Sequence, residues 1–195
     1  NQDKCAMKVG TDSILFGSWL VYNSTYKSVL DIGTGTGLLA LMIAQKWDAV
    51  NISALEIDPD AYLQAKDNII ASKWAGRMSI YHTDANTWNS TQKFDLLISN
   101  PPYFSNAINS KLDSRNNARH QVVFKLKNLI DIWQKHGSDK SELACVLPVD
   151  QAEELIDLII SKTYFLKKQT IVRSNEKSKS IRQLLLFTKE KTPTI

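Results

Sequence analysis

A short apolar run, Ser28-Val29-Leu30-Asp31-Ile32, breaks at Gly33-Thr34-Gly35-Thr36-Gly37 and resumes as the helix-like stretch Leu38–Lys46. A strand that turns through three glycines into a helix reads as the opening of a βαβ unit, a weak signal alone that the rest of the chain strengthens. The alternation continues. Asn51–Ile57 reads as a second strand. Asp58-Pro59 then starts a helix running to about Lys73, because Asp caps a helix start and Pro suits its first turn. Arg77–His82 and Phe94–Ser99 read as strands, Leu126–His136 as a helix, Glu142–Leu147 as a strand and Asp150–Ser161 as a helix. Such alternation builds a parallel sheet with helices on both faces. The end differs: Phe165–Arg173 and Ile181–Thr188 are β runs joined by Ser174–Ser180, which leaves no room for a helix. These two must pair as an antiparallel hairpin.

The expectation is an α/β chain with a seven-stranded, mostly parallel sheet and a C-terminal antiparallel hairpin, the outline of the Rossmann-like class I methyltransferases. The 195 residues, 43% hydrophobic and 23% charged, exclude disorder as the main state and suit a single domain over residues 1–195. Cys5 and Cys145 form no CxxC pair, which favours a reducing compartment. The polar start Asn1-Gln2-Asp3-Lys4 lacks the apolar core of a signal peptide, and no apolar run is long enough to cross a bilayer. A cytoplasmic chain that binds no membrane, with Asn1 close to the protein's true start, is the expectation. The net charge of +4 is unevenly spread: residues 28–100 hold five basic and eight acidic side chains, residues 162–191 nine basic and two acidic. That segregation suits a polyanionic partner, nucleic acid first, although solvated lysines produce the same bias.

Ligands of such sheets bind at the carboxyl ends of the strands, and every chemical motif of this chain falls there. Gly33, Gly35 and Gly37 let backbone approach a ligand closely. The spacing is GxGxG rather than GxGxxG, and Asp31 stands just before the loop. A pyrophosphate would be repelled by that carboxylate, whereas the ammonium of S-adenosylmethionine would be attracted, so this cofactor is expected over NAD. Glu56 ends the second strand 19 residues beyond Gly37, the offset at which a carboxylate takes ribose hydroxyls. Asp84, with Ala85 after it, follows the third and is placed to accept from the adenine amine, or simply to cap the following turn.

Asn100-Pro101-Pro102-Tyr103 follows the fourth strand and is the most specific signal in the chain. Two prolines fix a rigid turn. The Asn100 side-chain oxygen and the Pro101 carbonyl can then converge on one NH₂ group, accept both its hydrogens and aim the nitrogen lone pair at an electrophilic methyl. Tyr103 offers a face on which a planar base stacks. Asn100, Pro101 and Tyr103 are therefore the catalytic expectation. This chemistry requires no metal and no covalent enzyme intermediate.

With these residues in view, the chain resembles a known family. Asn-Pro-Pro-Tyr behind such a glycine loop is similar to the amino-group methyltransferases. The stretch Cys5-Ala6-Met7-Lys8-Val9-Gly10-Thr11-Asp12-Ser13-Ile14-Leu15, with Asp31–Leu39, Ser99–Phe104 and Ala118-Arg119-His120, resembles the bacterial valine tRNA (adenine-37) N6-methyltransferases. The resemblance implies methyl transfer to N6 of the adenine beside the anticodon, a few more residues before Asn1, and a further C-terminal segment. It also implies that Lys8, Thr11 and Asp12 close over the methionine end of the cofactor; from the residues alone, Thr11 or Asp12 is equally a helix N-cap.

A stacked anticodon-loop adenine must be splayed out before its N6 can react. Phosphate contacts are expected from Lys111, Arg115 and Arg119 in the long polar loop after the catalytic motif, and from Arg173, Lys177, Lys179 and Arg182 around the hairpin. The protein is expected to act on tRNA as a monomer. Alternatives sharing the motif are a glutamine N5-methyltransferase of release factors and another RNA or DNA amino-methyltransferase.

Overall fold

The structure is a computed structural model that describes residues 10–101, 125–175 and 178–191. Its elements are α1 (Thr11–Trp19), β1 (Ser28–Ile32), α2 (Leu38–Lys46), β2 (Asn51–Glu56), α3 (Pro59–Ile70), β3 (Met78–His82), β4 (Phe94–Ser99), α4 (Leu126–His136), β5 (Gly137–Leu147), α5 (Val149–Ser161), β6 (Phe165–Arg173) and β7 (Ser180–Thr188). One seven-stranded sheet runs β3-β2-β1-β4-β5-β7-β6. β1 to β5 pair in parallel, and β7 pairs antiparallel with both β5 and β6.

The strands alternate their side chains between two cores. Val29, Leu96, Ile98, Ala144, Val146 and Leu184 pack against α1 and α2, with Phe16, Ile43 and Trp47 at the centre. Leu30, Ile32, Leu97, Leu143, Cys145 and Leu185 face α4 and α5, where Trp133 and Leu155 are fully buried. Each such Val, Leu or Ile side chain contributes roughly 1.5–3 kcal/mol on burial. Phe94 and Leu97 share a face although strict alternation forbids it at a spacing of three. A register irregularity between Phe94 and Leu96 supplies the extra residue.

Two cations close helix ends. Lys46 Nζ donates to the carbonyls of Gly17, Ser18 and Leu20 at 3.0, 3.0 and 2.7 Å, fastening the end of α1 to α2. Arg77 does the same for α2, donating to Ala44, Trp47 and Val50 at 2.6, 3.0 and 2.7 Å. Such cations satisfy the orphan carbonyls of a last turn and complement its dipole.

Three boundaries differ from expectation. β5 begins at Gly137, not Glu142, because α4 runs directly into a strand that already pairs Gly137 with Phe94. α3 stops at Ile70, where the Ser72 hydroxyl takes up the Ile69 carbonyl. α1 is capped by Gly10 with no side-chain cap bond, so neither Thr11 nor Asp12 is its N-cap; both lie inside the first turn. The Asp58 cap is as expected, its carboxylate accepting from Ala61 N at 2.8 Å. No described helix is long and apolar enough to cross a membrane.

Candidate active site

Register fixes where the motifs meet. Ile32 pairs with Leu55 on one side and Ser99 on the other, and Glu56 pairs with His82. The glycine loop, Glu56, the Asp84 turn and Asn100 therefore leave the sheet along one rim, on neighbouring strands about 4.8 Å apart. The Ser99 hydroxyl, fully buried, donates to Ile32 O at 2.9 Å and ties the two central exits together.

The glycine loop is held from several directions. Gly33, Gly35 and Gly37 all have positive φ, 71°, 59° and 80°, which side-chain-bearing residues resist. Gly33 N and Thr34 N both donate to Leu55 O at 3.0 Å. Thr34 Oγ1 donates to Asp31 Oδ2 at 2.6 Å, and Asn68 Nδ2 on α3 donates to Thr36 O at 2.9 Å. A Cβ at Gly33 or Gly35 would meet nothing within 4 Å, so the backbone there faces open space in which a ligand fits. Gly37 instead abuts Ala65 of α3.

Glu56 does more than its position in sequence suggests. One carboxylate oxygen accepts from Gly35 N at 2.7 Å; the other accepts from Ile57 N and Asp58 N at 2.9 Å each. A carboxylate offers about four acceptor positions. With these three bonds intact, Glu56 has room for one ribose hydroxyl, and a second must displace the Gly35 N–H. Beside it Ile57 exposes 50% of its surface, an apolar wall at the rim that was not singled out from the sequence.

Asp31 is 1% exposed, and its carboxyl is pushed up to about 7. Burial is the main cause; the Thr34 hydroxyl opposes it, the Glu56 charge adds to it, and a bond from the Ala40 backbone opposes it. Asp84 takes its capping role: Oδ1 accepts from Asn86 N at 2.8 Å and Asn86 Nδ2 at 2.9 Å, and its carbonyl accepts from Trp88 N at 2.9 Å. Trp88 packs at a tilt against Tyr81, Phe94 and His136 and so anchors this turn, while Ala85 is buried beside it. An acidic, partly apolar rim over an open glycine backbone fits an adenosyl group with a cationic amino-acid tail.

Asn100 is described, and its Nδ2 donates to Ser13 Oγ of α1 at 2.8 Å. Pro101 is buried behind it. Lys8, Tyr103, Lys111, Arg115, Arg119 and Lys177 lie outside the described residues. Arg173 and Lys179 are exposed at the far end of the hairpin. Arg182 is turned toward α1, where Nε donates to Asp12 Oδ2 at 2.9 Å. Asp12 thus reaches the hairpin. Ser13, Asn68 and Trp88 were not singled out from the sequence, because their partners lie far off in the chain or on the backbone. No group of three or more described His, Cys, Asp or Glu side chains is arranged to hold a metal ion.

Sheet order, hairpin and rim together define a Rossmann-like class I methyltransferase. Residues 5–125 match the family model of the methyltransferase small domain. The chain is 38% identical over 188 residues to the tRNA1(Val) (adenine(37)-N6)-methyltransferase of Klebsiella pneumoniae, covering 95% of this chain and 76% of that protein. It is 36% identical over 199 residues to the protein of the same name from Christiangramia forsetii, covering 100% of this chain and 83% of that protein. The solved structure of M. capricolum TrmK in complex with S-adenosyl-homocysteine shares the fold with a TM-score of 0.66 at 12% identity, covering 94% of this chain and 70% of that one. The chain belongs to the tRNA1(Val) (adenine(37)-N6)-methyltransferase family.

Proposed function

We propose that this protein binds S-adenosylmethionine along the β1–β4 rim and methylates the exocyclic N6 of adenine 37 in valine tRNA. The observation that carries the reading is the Asn100 amide at the end of β4, beside an open, braced glycine loop at the end of β1. Family membership supports the substrate. The residues fit the cofactor: Asp31 balances a cationic ammonium, Glu56 and Asp84 accept from ribose and adenine, and Ile57 and Ala85 supply apolar contact. Bound there, S-adenosylmethionine supplies an electrophilic methyl.

The chain's own task is orientation. Asn100 Oδ1 and the Pro101 carbonyl accept the two N6 hydrogens, which points the nitrogen lone pair out of the amine plane. The same oxygens stabilise the positive charge that develops on N6. Tyr103 stacks on the splayed base. Lys111, Arg115, Arg119, Arg173, Lys177 and Lys179 hold phosphates. The chain works as a single domain, residues 1–195, as a monomer in the cytoplasm.

The test offers labelled methyl donor with total tRNA, ribosomal RNA, duplex DNA and release factor, then analyses nucleosides. Label in N6-methyladenosine of valine tRNA is expected. Label confined to protein would move the activity to glutamine amides and overturn the substrate.

A further inference from the structure

We propose that Ser13 is a positioning residue that anchors the Asn100 amide through its Nδ2, with Oδ1 toward the target amine. The inference rests on the reading of Asn100 as the N6 acceptor. An Asn amide carries a donor and an acceptor on one planar fork, and a half-turn exchanges them. Only Oδ1 can accept from an NH₂ group; Nδ2 turned to the same place opposes donor to donor and repels the substrate. The amide must therefore be held with Oδ1 toward the amine.

Ser13 Oγ is the group that holds it there. It accepts from Nδ2 at 2.8 Å, across 87 residues of sequence. Among the described residues Asn100 Oδ1 accepts no bond. The hydroxyl is itself firmly placed. It sits in the first turn of α1, which is held at its start by Asp12 to Arg182 at 2.9 Å. Phe16, fully buried, holds its middle, and Lys46 holds its end. Trp19 Nε1 donates to Thr170 Oγ1 of β6 at 2.9 Å, with Lys168 Nζ 4.6 Å from the ring centre. A helix so fixed gives the amide a steady anchor, which preorganises it before substrate arrives.

Steady-state kinetics on the full-length chain with a valine tRNA transcript tests this. Ser13→Ala should lower kcat about 10-fold, the worth of one orienting bond. KM for tRNA, calorimetric affinity for S-adenosylmethionine and the melting temperature should stay near wild type. Ser13→Thr keeps the hydroxyl and should restore most of the rate. Asn100→Ala alone should cost roughly 100-fold or more, and adding Ser13→Ala to it should cost nothing further. Wild-type kcat in Ser13→Ala, equal impairment by Ala and Thr, or a full additional loss on top of Asn100→Ala would each overturn the proposal. If Asn100→Ala itself turns over normally, the catalytic reading of Asn100 fails and the Ser13 proposal with it. An inactive Asn100→Ala beside a fully active Ser13→Ala removes the Ser13 proposal alone.

Discussion

The glycine loop and Asn100 leave neighbouring strands of one sheet, yet they are held in opposite ways. Every brace on the glycine loop comes from residues 31 to 68: Asp31 on Thr34, Leu55 and Glu56 on the loop amides, Asn68 on Thr36. Asn100 is held by Ser13, 87 residues away, on a helix fastened to the hairpin 151 and 170 residues further on. The glycine loop and its Glu56 brace are thus complete once β1, α2, β2 and α3 have packed. The catalytic rim needs both ends of the chain. Damage to the long-range ties should cost stability and turnover first, and damage to the local braces should cost cofactor affinity first.

The largest test falls on Glu142 of β5. It is 5% exposed and accepts from the buried Tyr26 hydroxyl ahead of β1 and from Lys167 Nζ of β6 at 2.5 Å. Burial, then the Glu142 bond, push the Tyr26 phenol above its ordinary range, so it stays a donor. Glu142→Ala strands that hydroxyl and a half-buried lysine. Unfolding free energy should fall by about 3 kcal/mol and the melting temperature by roughly 10 °C. A drop near zero in denaturant unfolding would break the contrast, since the long-range half would then not depend on its polar ties.

Gly37→Ala strikes the local half. It forces an L-residue to φ 80° and sets a methyl 3.4 Å from Ala65 Cβ. A stability loss of about 1–2 kcal/mol is expected, with a clear fall in S-adenosylmethionine affinity by calorimetry. Unchanged affinity would mean that the loop's conformation is not what binds.

Asp31 adds a pH signature to the same half. Its folded carboxyl sits up near 7, above its unfolded value, so the native state binds the extra proton between the two. Its contribution to ligand-free stability is therefore present at acid pH and is lost as pH rises toward 7. Binding a cation needs the ionised form. Cofactor affinity should rise about tenfold per pH unit below 7 and level off above it. Asp31→Asn should flatten both curves; a slope that survives in that variant would assign the titration to another group.

What could be read in advance follows the same division. The helix start at Asp58-Pro59, the strand–loop–helix around the glycine triplet and the place of Glu56 at the end of β2 were legible because local pattern and backbone geometry dictate them. The hairpin was legible because Ser174–Ser180 admits no crossover. The partners of Asn100 and Arg182 were not, since no local periodicity links Ser13 to residue 100 or Asp12 to residue 182. Arg182 reads from composition as one more basic residue beside a polyanion, and only packing shows its guanidinium turned to α1. The early start of β5 was hidden for a related reason: Gly137-Ser138-Asp139-Lys140 has poor strand propensity, and pairing with Phe94 overrides it.

The smallest effect concerns that arginine. The Asp12–Arg182 pair is about one-fifth exposed on each side, so Arg182→Ala should cost under about 1 kcal/mol of stability. Its informative readout is the salt dependence of tRNA binding. A side chain that neutralises a phosphate contributes about 0.7–0.9 to the slope of log affinity against log salt. Arg173→Ala and Lys179→Ala, both exposed at the hairpin end, should each lower the slope by about that amount. Arg182→Ala should leave the slope in place and lower kcat through α1 and Ser13. A slope reduced as much by Arg182→Ala as by Arg173→Ala would mean that RNA draws the guanidinium away from Asp12. The helix that steadies Asn100 would then be loosened by substrate rather than fixed before it arrives.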